Sequence, residues 1–228
     1  MLKYLFLILF AATQSSLAFS QEALIKFQTN NKVGYKNSSN NIIIEPIFDA
    51  GSEFTNNIAL VIKDRKRGFI NTKGEIIIPF IYDDASIFYE GIARVKQNGK
   101  WGYINTKGET LIDFKFDVAY NFNDQIARVI INNKTGFINS TGNIIVPFEY
   151  DNAYDASEGF IAVMKNKKWG YINYQNTIVI PITYNVAFPF HSSKAKVINE
   201  GKGYIIDING KIISEFEISP EDKEKERK

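Results

Sequence analysis

The sequence predicts an all-β protein built from tandem three-stranded antiparallel repeats with a 34-residue period, set in a curved or spiral array. Three observations predict this. Glycines fall at 34, 68, 102, 136, 170 and 203, spaced by 34 four times and then by 33. Each is followed by an aromatic: Tyr35, Phe69, Tyr103, Phe137, Tyr171 and Tyr204. The 228-residue chain carries 18 Phe, 12 Tyr and many Ile, and aromatic and β-branched side chains suit a pleated surface. A unit this short cannot bury its apolar face alone and needs its neighbours. Open twisted sheets rarely exceed about 10 strands, so three strands per repeat imply several small sheets rather than one meander. A small propeller-like closed arrangement is the alternative, although propeller blades usually hold four strands in about 40–45 residues.

The elements follow in order. Residues 1–20 read as an export signal: Lys3 is the positive start, Tyr4 to Ala12 the apolar run, and Ala18-Phe19-Ser20 the small-residue site before Gln21. The run is far short of the roughly 20 residues of a spanning helix. The chain has no Cys, so no disulfide and no lipidated thiol is available. Without the signal the formal charge is close to neutral, which argues against a nucleic-acid partner. Residues 21–219 form the repeat domain, with five to six copies, and 220–228 a charged tail expected to be frayed, with a short terminal helix as the alternative.

Within a repeat, the first strand carries Ala in a fixed place, as in Ile58-Ala59-Leu60-Val61 and Ile92-Ala93-Arg94-Val95. A tight hairpin turn follows, clearest at Asn98-Gly99. The second strand carries the Gly-aromatic pair, and a strand-interior Gly marks a bulge or a close approach, with Trp101, Trp169 or a ring of the next repeat as the covering group. Thr72-Lys73-Gly74 and its copies read as three-residue turns. The third strand, such as Ile76 to Tyr82, contains Pro at 46, 79, 147 and 181, which places a bend or an edge there. An eight-residue link, Asp83 to Glu90 in the second repeat, is long enough to reach a new sheet.

The run Lys100-Trp101-Gly102-Tyr103-Ile104-Asn105, then Lys107-Gly108-Glu109, Ile-Pro-Phe-x-Tyr-Asp and Glu-Gly-Ile-Ala-Arg-Val resembles the WG-repeat (KWG-repeat) family of bacterial β-repeat proteins over residues 23–218. Trp stands in only two copies, Trp101 and Trp169. The resemblance implies a repeat scaffold for interactions and brings no catalytic residues with it.

Few constellations point to chemistry. Asp49, Asp83, Asp117 and Asp151 recur at the same 34-residue interval, with Asn185 next. They read as turn-forming residues, with calcium as the competing reading. Successive acids are three strands of about 4.8 Å apart, too far for a shared ion. His191 is the single histidine, with no nucleophile context beside it. Lys63, Arg65, Lys66 and Arg67 form a basic cluster at one hairpin, read as a solvated turn. Trp101, Trp169, Tyr103 and Tyr171 are the candidate binding surface, against a core role beside the recurring Gly. The functional expectation is an exported, periplasmic or extracellular, non-enzymatic scaffold for protein partners, without cofactor or metal. Glycan or peptidoglycan binding is the alternative, and a hydrolase using carboxylates in a groove between repeats is the third reading.

Overall fold

The structure is a computed structural model and describes residues 23–226, so the export signal expected at 1–20 lies outside the described residues. The described chain forms six sheets in succession. The first holds β1 (Ile25–Thr29), β2 (Lys32–Lys36) and β3 (Ile42–Phe48). The second holds β4 (Ala50–Gly51), β5 (Ile58–Lys63), β6 (Lys66–Asn71) and β7 (Ile76–Tyr82). The third holds β8 (Asp84–Ala85), β9 (Ile92–Gln97), β10 (Lys100–Asn105) and β11 (Thr110–Phe116). The fourth holds β12 (Val118–Ala119), β13 (Ile126–Ile131), β14 (Lys134–Asn139) and β15 (Ile144–Tyr150). The fifth holds β16 (Asn152–Ala153), β17 (Phe160–Lys165), β18 (Lys168–Asn173) and β19 (Ile178–Tyr184). The sixth holds β20 (Val186–Ala187), β21 (Lys194–Asn199), β22 (Lys202–Asp207) and β23 (Ile212–Phe216), and α1 (Pro220–Glu226) follows.

Strands pair antiparallel in chain order within every sheet, so the all-β repeat architecture stands as the sequence predicts. The strand count per repeat differs. Sheets two to six gain a two-residue strand from the link, as where Ala50 and Gly51 pair with Ile62 and Val61. The link must cross from the outer edge of one sheet to the inner edge of the next, and it runs flat along the first long strand as it arrives. Two residues are too few for hydrophobic alternation to signal. The link then closes in a second tight turn with positive φ at both central residues, Asn56 (49°) and Asn57 (64°) in the second repeat. The hairpin at Asn98 (51°) and Gly99 (80°) has the same form, as its sequence predicts.

The strand-interior glycines sit under bulges. Trp101 pairs with Phe116 and Tyr103 with Ile112, so Gly102 alone stands opposite Asp113, Phe114 and Lys115. A Cβ on Gly102 would lie 2.7 Å from the Ile112 carbonyl oxygen and 3.1 Å from the Phe114 nitrogen. The covering group is therefore the backbone of the repeat's own outer strand, not Trp101, Trp169 or a ring of the next repeat. Pro46, Pro79, Pro147 and Pro181 all fall inside this bulge, where a missing N–H costs no ladder bond.

The sixth sheet shows what happens without the glycine. Val197 pairs with Tyr204 where Val163 pairs with Gly170. Tyr204 thus takes the glycine's position and Ile205 the ring's, and the structural step holds at 34 throughout. The final step of 33 read from the Gly-aromatic pair is a one-residue slip of the motif along a constant register. With Tyr204 in place the wide bulge is gone, and Gly203, Tyr204 and Ile205 pair in succession with Phe216, Glu215 and Ser214. The fixed Ala is corrected in the same way. Ile161, not Ala162, pairs with Ile172 as Ala127 pairs with Ile138, and Ile161 is fully buried there.

The core is divided among the junctions between sheets. At the first junction Val33, Tyr35, Ile44 and Phe48 of the first sheet pack on Ala59, Val61 and Ile70 of the second. At the last, Tyr171 and Ile180 pack on Ala195, Val197 and Ile206. The expected frayed tail is corrected for 220–226, which is helical. The Asp222 amide donates to the Ser219 hydroxyl (3.2 Å), Pro220 takes the first helical position, and Glu221 and Asp222 supply acid to the first turn.

Candidate interaction surface

The four aromatics expected to form a binding surface lie in the core. Trp101 and Trp169 are 8% exposed, Tyr103 1% and Tyr171 0%. The tyrosines at this position tie the first, third and fifth sheets to the links that follow them. The hydroxyls of Tyr35, Tyr103 and Tyr171 donate to the carbonyls of Ser52 (2.8 Å), Tyr120 (2.7 Å) and Phe188 (2.8 Å). Burial pushes their phenol pKa values well above the ordinary range. The Trp position is held by Val33, Arg67, Thr135 and Gly203 in the other copies, so its filling adapts to its neighbour. Trp101 lies 4.8 Å under the Arg94 guanidinium, and Trp169 lies 5.2 Å from the Tyr154 ring.

The Asp column is structural, but by a longer reach than a local turn. Asp49, Asp83 and Asp151 accept from the Nζ of Lys32 (2.5 Å), Lys66 (2.5 Å) and Lys134 (2.6 Å), and Asp117 accepts from Lys100. The other carboxylate oxygen of Asp49, Asp117 and Asp151 accepts the backbone N–H of Asp64 (2.8 Å), Asn132 (2.7 Å) and Asn166 (2.7 Å), in the hairpin turn of the next sheet. Each of these acids therefore joins its own sheet to the following one. These bonds, the lysine's first, hold the four carboxyls below the ordinary carboxylate range. Asn185 makes the same contacts at 3.3 Å each. Among the described residues no group of three or more acids or His could hold a metal ion.

A second tie was legible only as part of the Ile-Ala-Arg-Val string. Arg94 Nη1 donates to the Ala119 carbonyl (2.6 Å) on the next sheet's short strand, and Arg128 does the same to Ala153. Arg128 also pairs with Asp155 (2.9 Å) and lies 3.6 Å from the Tyr120 ring centroid. Lys26 reaches the Gly51 carbonyl (3.1 Å) from the equivalent position. The basic cluster is partly neutralised, Lys66 by Asp83 and Arg67 by Asp84 (3.6 Å). His191 is exposed in the turn before β21, at the rim of a cleft of about 530 Å³ between the sixth sheet and α1.

What the array presents to solvent is its rim. The first residue of the outer strand is exposed in every sheet, and it is Ile42, Ile76, Ile144, Ile178 and Ile212 in five of the six, each at least half exposed, with Thr110 in the other. Ile47 and Ile81 add to it on the first two sheets.

This chain belongs to the WG-containing-repeat family, which matches residues 34–66, 68–101, 101–134, 136–169 and 169–202. Among curated protein sequences none matches significantly. Solved structures with a similar backbone include Hsv2 of Kluyveromyces lactis, at 9% identity and a TM-score of 0.48 over 87% of this chain and 80% of that one. A Bacteroides caccae protein of unknown function is 17% identical, with a TM-score of 0.30 over 86% of this chain and 93% of that one. Likeness at these values carries no argument about activity. Among the described residues no helix is long and apolar enough to cross a membrane.

Proposed function

We propose that this chain is an exported, non-enzymatic scaffold that binds a protein partner in the periplasm or outside the cell. The observation that carries the reading is the rim of isoleucines repeated from sheet to sheet on the outer strands. Isolated exposed apolar residues are ordinary, but a periodic row along one edge of an array is a surface on which affinity accumulates repeat by repeat. The outer strands are also edge strands, and their bulges and prolines stop them pairing with a second chain without removing the side-chain row. Burial of Trp101, Trp169, Tyr103 and Tyr171 takes the repeat-locked rings out of reach of a sugar. The recurring acids Asp49, Asp83, Asp117 and Asp151 are engaged by lysines at the sheet junctions.

The test is capture from an envelope extract with the full chain beside an Ile76→Asp, Ile144→Asp, Ile178→Asp variant. A discrete protein held by the first and lost by the second supports the scaffold. Equal co-sedimentation of both with purified cell wall, and no captured protein, overturns it in favour of glycan binding.

A further inference from the structure

Every internal junction repeats one contact. The front of a sheet offers its second-strand ring and the third residue of its outer strand, such as Tyr35 and Ile44 or Tyr171 and Ile180. The back of the next offers three apolar residues, such as Ala59, Val61 and Ile70 or Ala195, Val197 and Ile206. The two ends of the array each expose half of this contact. On the first sheet Ile25, Phe27 and Lys36 stand at the positions of Ala59, Val61 and Ile70, by the register of β1 on β2 and of β5 on β6. Ile25 is 49% exposed where Ala59 is 0%. On the sixth sheet Ile205 and Ser214 stand at the positions of Tyr171 and Ile180. Ser214 is exposed, and the cleft against α1 opens beside it, lined also by Phe188, Ile205 and Asp222.

The two halves match in two respects. Each is apolar but for a single departure from the internal pattern toward polarity, Lys36 at the back and Ser214 at the front. Those departures occupy positions that share a core cluster in an internal junction, as Ile70 and Ile44 do. A Lys36 arriving from outside meets Ser214, and Asp222 lines the same cleft. At this contact the short inner strand is replaced: among the described residues the first sheet lacks one, and beyond the sixth sheet the chain enters α1 at Pro220, one full repeat past Val186.

The geometry points to a second copy of this chain as the occupant, its first sheet docking on the sixth sheet of the copy before it. The contact is heterologous, so it propagates into a ring or a filament. It lies on the end faces and leaves the isoleucine rim free.

The test is sedimentation velocity of the full chain over a concentration series, with melting midpoints measured alongside. The weight-average mass is expected to exceed the monomer and rise with concentration. Ser214→Lys sets an ammonium against Lys36 and weakens association by about tenfold or more, since like charges in an interface are costly. Adding Lys36→Glu to that variant restores association. Ser214 is exposed, and Lys36 reaches Asn40 of its own loop (2.8 Å) and the Phe27 ring, so the melting midpoint of the dilute monomer falls little against the loss of association. A wild-type chain that is monomeric throughout overturns the inference. So does association that ignores Ser214→Lys, or that Lys36→Glu fails to recover.

Discussion

A single atom explains why the glycine recurs. At Gly102 there is no room for a Cβ between β10 and the bulge of β11, whose carbonyl at Ile112 would lie 2.7 Å away. The sixth sheet shows the coupling from the other side, because Tyr204 at that position goes with a straight pairing to Glu215. Gly102→Val is expected to lower stability by about 1–3 kcal/mol, read as a fall in the melting midpoint, because backbone rather than a flexible side chain must give way. An unchanged midpoint would mean that β11 straightens as β23 does, without cost. The sequence showed that the position mattered but not what lay over it. Spacing locates a close approach, while the identity of the covering group depends on which strand folds back, and that is a property of three dimensions.

At the scale of elements, the turns and long strands were readable and the joints between sheets were not. Asn-Gly and the Gly-aromatic pair are local signals, and they placed the hairpins correctly. The acid column was visible as a period, yet its partners lie beyond any local turn. The lysines stand at the start of the second long strand, at Lys32, Lys66, Lys100 and Lys134, and the amides belong to the next sheet's hairpin. Helix α1 was legible in Ser219-Pro220-Glu221-Asp222, a cap, a first-turn proline and two acids, but its lack of apolar residues argued for a frayed tail. The candidate aromatics failed because sequence marks a side chain as large, not as covered. The acid column yields a pH prediction. The four carboxyls titrate below their ordinary range when folded, so their contribution is present above the unfolded carboxylate pKa of about 4 and is lost as pH falls through the lower folded values. The melting midpoint is expected to drop steeply below about pH 4. Asn185→Asp should raise it at neutral pH by giving the fifth junction the carboxylate that the others have, and that gain should vanish in acid. A gain that persists at low pH would show that the junction is not held by charge.

At the scale of the whole molecule, stability is a sum over junctions rather than the property of one core. Sheets meet their neighbours in sequence: among the described residues five core clusters each join sheets adjacent along the chain, and a sixth, of Val186, Ile198 and Ile218, lies within the last sheet and the segment that follows it. Removing residues 102–135, one 34-residue step, is expected to leave a shorter array that unfolds cooperatively in urea with a smaller m-value and a lower midpoint. Removing 102–134 instead shifts every later side chain by one place. A one-residue slip turns a buried face outward, so that variant should lose the transition. Equal behaviour of the two deletions would show that the register is not fixed by packing.

The constant step has a consequence for inheritance. Because the register holds at 34 even where the Gly-aromatic motif has slipped, any block of that many codons is an exchangeable part, whatever point in the repeat it starts from. Unequal recombination between copies of such a gene yields in-frame products that differ only in the number of sheets. The motif residues can then differ from copy to copy, as Val33, Arg67, Thr135 and Gly203 do at the Trp position, while the interval between copies stays constant.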